Sequence, residues 1–139
     1  MEKMALPLLV ISRTGTVMGK TRMQKLVYLT QKAANGSVFP YQNYMHGPFS
    51  VELSKAVDEL RGVGLVDEKV TTTSKGYQLH TYELTSEGKQ LLKTILSSWK
   101  DGERWDAAVR DVVKRFRKVK MEVILKEAYR QAGLRWTGT

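Results

Sequence analysis

The chain has 139 residues, 42% of them apolar, and 23 Lys and Arg against 14 Asp and Glu, for a net charge of +9. That length suits one domain with a single core, and that apolar content excludes a disordered chain. With no cysteine, disulfides, zinc–thiolate sites and cysteine nucleophiles are excluded and a cytoplasmic setting is expected.

The N-terminal run "MALPLLVI" is too short to span a bilayer, and no secretory cleavage pattern follows it. Glu2 to Arg13 is predicted as a helix, with Leu6, Leu9 and Val10 at helical spacing and Gly15 as its stop. "GTVMGKT" (15–21) has a faint likeness to a phosphate loop. It has three residues between its glycines where that pattern needs four, and a helix rather than a strand precedes it, so a basic turn is expected instead. Thr21 is the predicted N-cap of a second helix, Arg22 to Ala34. Its apolar stripe holds Met23, Leu26, Val27 and Leu29 or Thr30, and its polar positions are Arg22, Lys25 and Lys32. "NGS" (35–37) ends it, and "VFPYQNYMHGPF" (38–49) reads as irregular with room for one short strand.

Ser50 follows Pro48 and opens a run with Val51, Leu53, Ala56, Val57, Leu60 and Val63 at helical spacing. "GPFS" is thus a helix-entry corner: Pro48 biases Gly47 away from helix, and Ser50 is a good N-cap. Gly62 and Gly64 stop this third helix. Leu65 to Thr73 and Tyr77 to Leu84 flank "SKG" as a two-stranded hairpin. A fourth helix starts at Thr85 or Ser86 with Leu91, Leu92, Ile95 and Leu96 inward. Residues 101–133 are strongly helical, and "RKVKM" (117–121) can either continue or break the helix.

The chemistry-bearing residues do not converge on an enzyme. His46 and His80 are the two histidines, without the spacing of further His, Asp or Glu that a metal site needs. Asp58 and Glu59 are adjacent and diverge on a helix, and no nucleophile–base arrangement stands out. No catalytic residue, metal or cofactor is expected.

Three helices followed by a hairpin is the order of a winged helix-turn-helix. The expected fold is mainly α with a small β-hairpin (α+β): a winged-helix domain over 1–98 and a C-terminal helical extension over 99–139, in one globular unit. "LRGVGLVDE…YELTSEGKQLL" resembles the wing region of MarR- and PadR-like regulators. "GKTRMQKLVYLTQ", "YQNYMHGPFSVELSKAVDEL" and a late "ILKEAYRQAG" resemble the YwgA-like uncharacterised winged-helix proteins and, more distantly, the Panacea (SocA-like) antitoxin domains. The chain departs from them in Arg22 and Met23 before Gln24, and in lacking a proline after the late tyrosine. The resemblance implies fold more than function, because those relatives are functionally open or bind proteins.

The leading expectation is a transcriptional regulator that binds double-stranded DNA. Lys20, Arg22 and Lys25 would anchor phosphates, Ser54 and Lys55 would approach base edges, and Lys69, Thr72, Ser74 and Lys75 would form a basic, hydroxyl-rich wing. Trp105, Val109, Val112, Phe116 and Val119 recur in steps of four and three, which suits a homodimer seam or packing on the domain itself. "RDVVKRFRKVK" (110–120) is a basic patch or simply the solvated face of that helix. The third helix is a difficulty, since Glu52, Asp58 and Glu59 outnumber Lys55 and Arg61. It favours the alternative, an antitoxin- or adaptor-like module that binds a protein partner. No membrane partner is expected.

Overall fold

The computed structural model describes residues 1–136; the last three residues of the expected C-terminal extension lie outside them. Helix α1 (Glu2–Thr14) buries Ala5 through Ile11 without interruption, as befits a helix apolar on all sides. Strand β1 (Thr16–Met18) follows, where a turn was expected. Three residues are too few to show an alternating pattern, and the strand is delimited by Gly15 and Gly19, whose φ angles of 86° and 108° suit glycine. Helix α2 (Lys20–Ala34) therefore begins earlier than expected, with Gly19 rather than Thr21 at the N-cap.

Residues 38–49 contain a hairpin, β2 (Gln42–Tyr44) and β3 (Gly47–Phe49), in place of an irregular segment. Helix α3 (Val51–Gly62) starts at Ser50, whose hydroxyl accepts from the Leu53 amide at 3.1 Å, as the sequence predicts. Strands β4 (Val66–Thr72) and β5 (Gln78–Leu84) form the expected hairpin. Strand β1 pairs antiparallel with β5, Val17 opposite Tyr82, giving a three-stranded sheet in the order β1-β5-β4. Helix α4 (Ser86–Ser98) is capped by Thr85. The C-terminal region breaks at residues 117–120 into α5 (Gly102–Phe116) and α6 (Met121–Gln131).

One apolar cluster runs from Ala5 in α1 to Ala128 in α6. It includes Trp105, Val109, Val112 and Phe116, with Val119 packed at its edge. The expected dimer seam is therefore spent inside the protein. The stripe packs inward from Trp105 to Phe116, and those four buried side chains offer no surface to a second copy.

Helices α2 and α5 lie antiparallel and cap each other with arginines. Arg22 in the first turn of α2 donates to the carbonyls of Phe116 (3.3 Å) and Val119 (3.0 Å) at the end of α5. Arg104 at the start of α5 donates to the Ala34 carbonyl at the end of α2. Each guanidinium satisfies carbonyls that a helix end leaves without partners and sits at the negative pole of the helix dipole. Arg13 adds a tie from α1 to Asp106 of α5 at 2.8 Å.

Two substitutions test this packing. Val109→Asp is expected to abolish cooperative thermal unfolding by circular dichroism, whereas an intermolecular seam would leave the fold intact and change only the mass in solution. Gly88→Ala lies in a helix, where alanine ordinarily gains about 1 kcal/mol. A Cβ there would stand 2.1 Å from the backbone oxygen of Leu65. The variant is expected to melt below the wild type instead.

Candidate functional site

The "GPFS" corner is built by α2. Gln24 is buried, and its amide oxygen accepts from the Ser50 amide at 2.8 Å. Its amide nitrogen donates to the Ser50 carbonyl at 2.8 Å and to the Ser54 hydroxyl at 3.1 Å. Its neighbour Lys25, 1% exposed, donates to the Pro48 carbonyl at 2.7 Å. About two turns further on, Gln31 accepts from the Phe39 amide and donates to the Phe39 carbonyl. Buried amides paired in this way fix a backbone that no regular ladder satisfies.

From the other side, Tyr129 of α6 donates to the Met45 carbonyl at 3.0 Å. Its ring lies where a Cβ on Gly47 would fall, 2.8 Å away, and Gly47 has φ of 86°. Glycine is needed here both for the backbone conformation and for the close approach. His46 stands exposed in the turn between β2 and β3, and no group of three or more His, Asp or Glu able to hold a metal occurs among the described residues.

This corner changes the list of expected phosphate contacts. Lys25 faces inward, and burial lowers its pKa to about 8, because desolvation disfavours the charged ammonium. Arg22 is partly buried and committed to the end of α5. Both were expected to meet DNA, and neither is free to. The helical pattern alone cannot reveal this, since α2 is enclosed on nearly every side from Met23 to Gln31. Lys20 remains exposed beside the start of α2.

On α3, Ser54 is half-buried under Gln24, while Lys55 is exposed along with Glu52, Asp58 and Glu59. Lys20 and Ser54 meet in a cleft between α2, α3 and β5, with Asp58 and Tyr82. That cleft holds only about 50 Å3, space for water and little else. The hairpin is different. Every residue from Lys69 to Gln78 is exposed, including Thr72, Ser74 and Lys75. Tyr77 and Val70 are 70% and 51% exposed at its end. The tip projects from the domain, and no other element covers it.

At the root of the hairpin lies an ionic cluster that sequence reasoning missed. Glu68 receives Arg61 from α3 at 3.3 Å and His80 from β5 at 2.6 Å. The strand register carries the signal. With Lys69 opposite Thr81 and Val70 opposite His80, Glu68 and His80 are diagonal neighbours on one face of the sheet. Beside them Tyr82 is buried, and desolvation first, then the charges of Glu68 and Asp58, push its pKa well above the usual phenol value. Arg61 is therefore tied to the sheet, which leaves Lys55 alone among the exposed acids of α3.

No family model matches the chain. It is similar to "Uncharacterized protein YwgA" of Bacillus subtilis (strain 168), with 31% identity over 83 residues, 60% of this chain and 49% of that protein. The chain thus spans about half the length of the curated relative it matches.

The corner yields two expectations. Gln24→Ala leaves the buried Ser50 amide without a partner, while the Ser50 carbonyl keeps the Ser54 amide, and is expected to cost about 2 kcal/mol in a denaturant melt. Lys25 gives a pH signature. Its folded pKa of about 8 lies below its ordinary value of 10.5, so between these the unfolded chain binds a proton that the folded chain has lost. Stability should rise with pH from about 8 to about 10. Above that, the raised pKa values of Tyr28, Tyr41 and Tyr82 act in the opposite sense. In Lys25→Met the rise should vanish in chemical denaturation across the same pH series.

Proposed function

We propose that this chain is a winged-helix protein of the YwgA-like type that binds double-stranded DNA, as a cytoplasmic transcriptional regulator. The observation that carries the reading is the exposed hairpin from Lys69 to Gln78, a projecting basic and hydroxyl-rich wing. The order α1-β1-α2-α3-β4-β5, interrupted between α2 and α3 by the small β2–β3 hairpin, with β1 completing the sheet beside β5, supports the winged-helix part. Lysines and hydroxyl groups on such an extension are suited to phosphate oxygens.

The proposed contacts are Lys69, Thr72, Ser74 and Lys75 on the wing, Lys20 at the start of α2, and Lys55 on α3. Arg22 and Lys25 are omitted, and Ser54 is held by Gln24. Glu52, Asp58 and Glu59 repel phosphate, so α3 lies less deeply in the major groove than a basic recognition helix would. Affinity then comes from the backbone more than from base edges, and depends steeply on salt.

A second reading, a protein-interaction module like the antitoxin domains it resembles, is favoured by a different surface. Tyr44, Met45 and Val51 are 52%, 87% and 49% exposed, and Tyr44 and Val51 line a cleft with Glu52 of α3. An exposed apolar patch of this kind suits an apolar partner segment.

Fluorescence anisotropy with random duplex DNA across a salt series separates the two. DNA binding predicts a linear fall of log affinity with log salt, with the slope reduced by about one for each of Lys69→Ala and Lys75→Ala. Absence of binding at low salt, despite the charge of +9, would overturn it and leave the protein-binding reading.

A further inference from the structure

A groove runs between the sheet and the helices on the side away from α3. The exposed faces of Met18 and Leu79 form one wall, and Met121 and Leu125 of α6 form the other. Lys20 and Thr21 stand at its rim, and His46 closes one end. It encloses about 570 Å3, within the range of small-molecule sites, which are mostly apolar with a few polar groups.

The charge on its lining is one-sided, although Lys20 also borders the cleft that holds Asp58. None of the lining residues is acidic, and Lys20 makes no ion pair among the described residues. Exposed Lys120 precedes Met121 directly. Glu122, the nearest acid in sequence on α6, is paired with Lys126 at 3.2 Å. An apolar trough with a cationic rim complements a molecule that has an apolar body and one negative end.

From this charge complementarity we infer that the groove binds a small amphipathic anion, an aliphatic carboxylate. The chain lies along Met18, Leu79, Met121 and Leu125, and the carboxylate meets the Lys20 ammonium. Two features of the strand register link this site to the wing. Leu79 pairs with Thr71, and Met18 and Thr81 share a row with Lys69. A ligand there rests against the root of the hairpin.

The site shares Lys20 with the proposed DNA contacts, so it is tested on the free protein with no nucleic acid present. Octanoate, titrated by calorimetry into the full chain, is expected to bind at one site in the millimolar range or tighter. Lys20→Ala, at an exposed position, should weaken binding about tenfold, and octanol should bind more weakly than octanoate. Leu79→Glu should abolish binding, and Thr21→Glu serves the same end if Leu79→Glu fails to fold. No saturable octanoate binding would overturn the inference. So would binding unchanged by these substitutions, or octanol binding as tightly as octanoate. Co-sedimentation with phosphatidylglycerol vesicles without octanoate binding would overturn it in favour of a membrane surface.

Discussion

The hydrogen bonds from Gln24 to Ser50 are the constraint on which the other parts of this structure depend. A single side chain amide takes both backbone groups of the residue that caps α3. Lys25 holds the carbonyl two residues earlier. Helix α2 is buried along most of its length, yet it carries polar side chains into the core to do this. Burying amides and an ammonium without partners would cost several kcal/mol. Here the partners are the backbone groups of residues 38–50, a segment with only a small hairpin of its own. α2 thus supplies the satisfaction that a longer sheet would otherwise provide, and the direction of α3 follows from it.

The same economy explains where the positive charge goes. A net charge of +9 reads, in isolation, as a polyanion-binding surface. Part of it is structural. Arg22 and Arg104 close the ends of two antiparallel helices, Arg13 ties α1 to α5, and Lys25 is inside the core. Arg61 is held by Glu68. The cations left facing solvent include Lys69 and Lys75 on the β4–β5 hairpin, Lys20, Lys55 on α3, Lys89 and Lys93 on α4, and several along α5 and the turn after it. Where each cation sits matters more to partner choice than the net value does.

The two sides of the hairpin differ in character. Toward α3 the root of the sheet carries Glu68, Arg61 and His80 in a closed ionic cluster with the buried phenol of Tyr82. Toward α6 the same strands present Met18 and Leu79 to an open, acid-free groove. The hairpin beyond them, Lys69 to Gln78, is exposed throughout.

The sequence by itself determined that the helices exist, the β4–β5 hairpin and its turn, the cap at Ser50, and the start of α4 to within one residue. These are local: apolar spacing, a hydroxyl before a helix and glycine in a turn act within a few residues. It also carried the link between "QKLVYL" and "HGPFS", as a resemblance, without the reason for it. Only the tertiary structure decided that Gln24 and Lys25 bond to Ser50 and Pro48, 26 and 23 residues away. It likewise decided that β1 joins the sheet and that the stripe from Trp105 to Phe116 packs inward rather than on a second copy. Helical spacing marks a face as apolar but does not say which surface covers it. A lysine in that spacing reads as solvent-facing until a second element encloses it. Burial depends on contacts between residues far apart in the chain, and a pattern of period 3.6 holds no information about them.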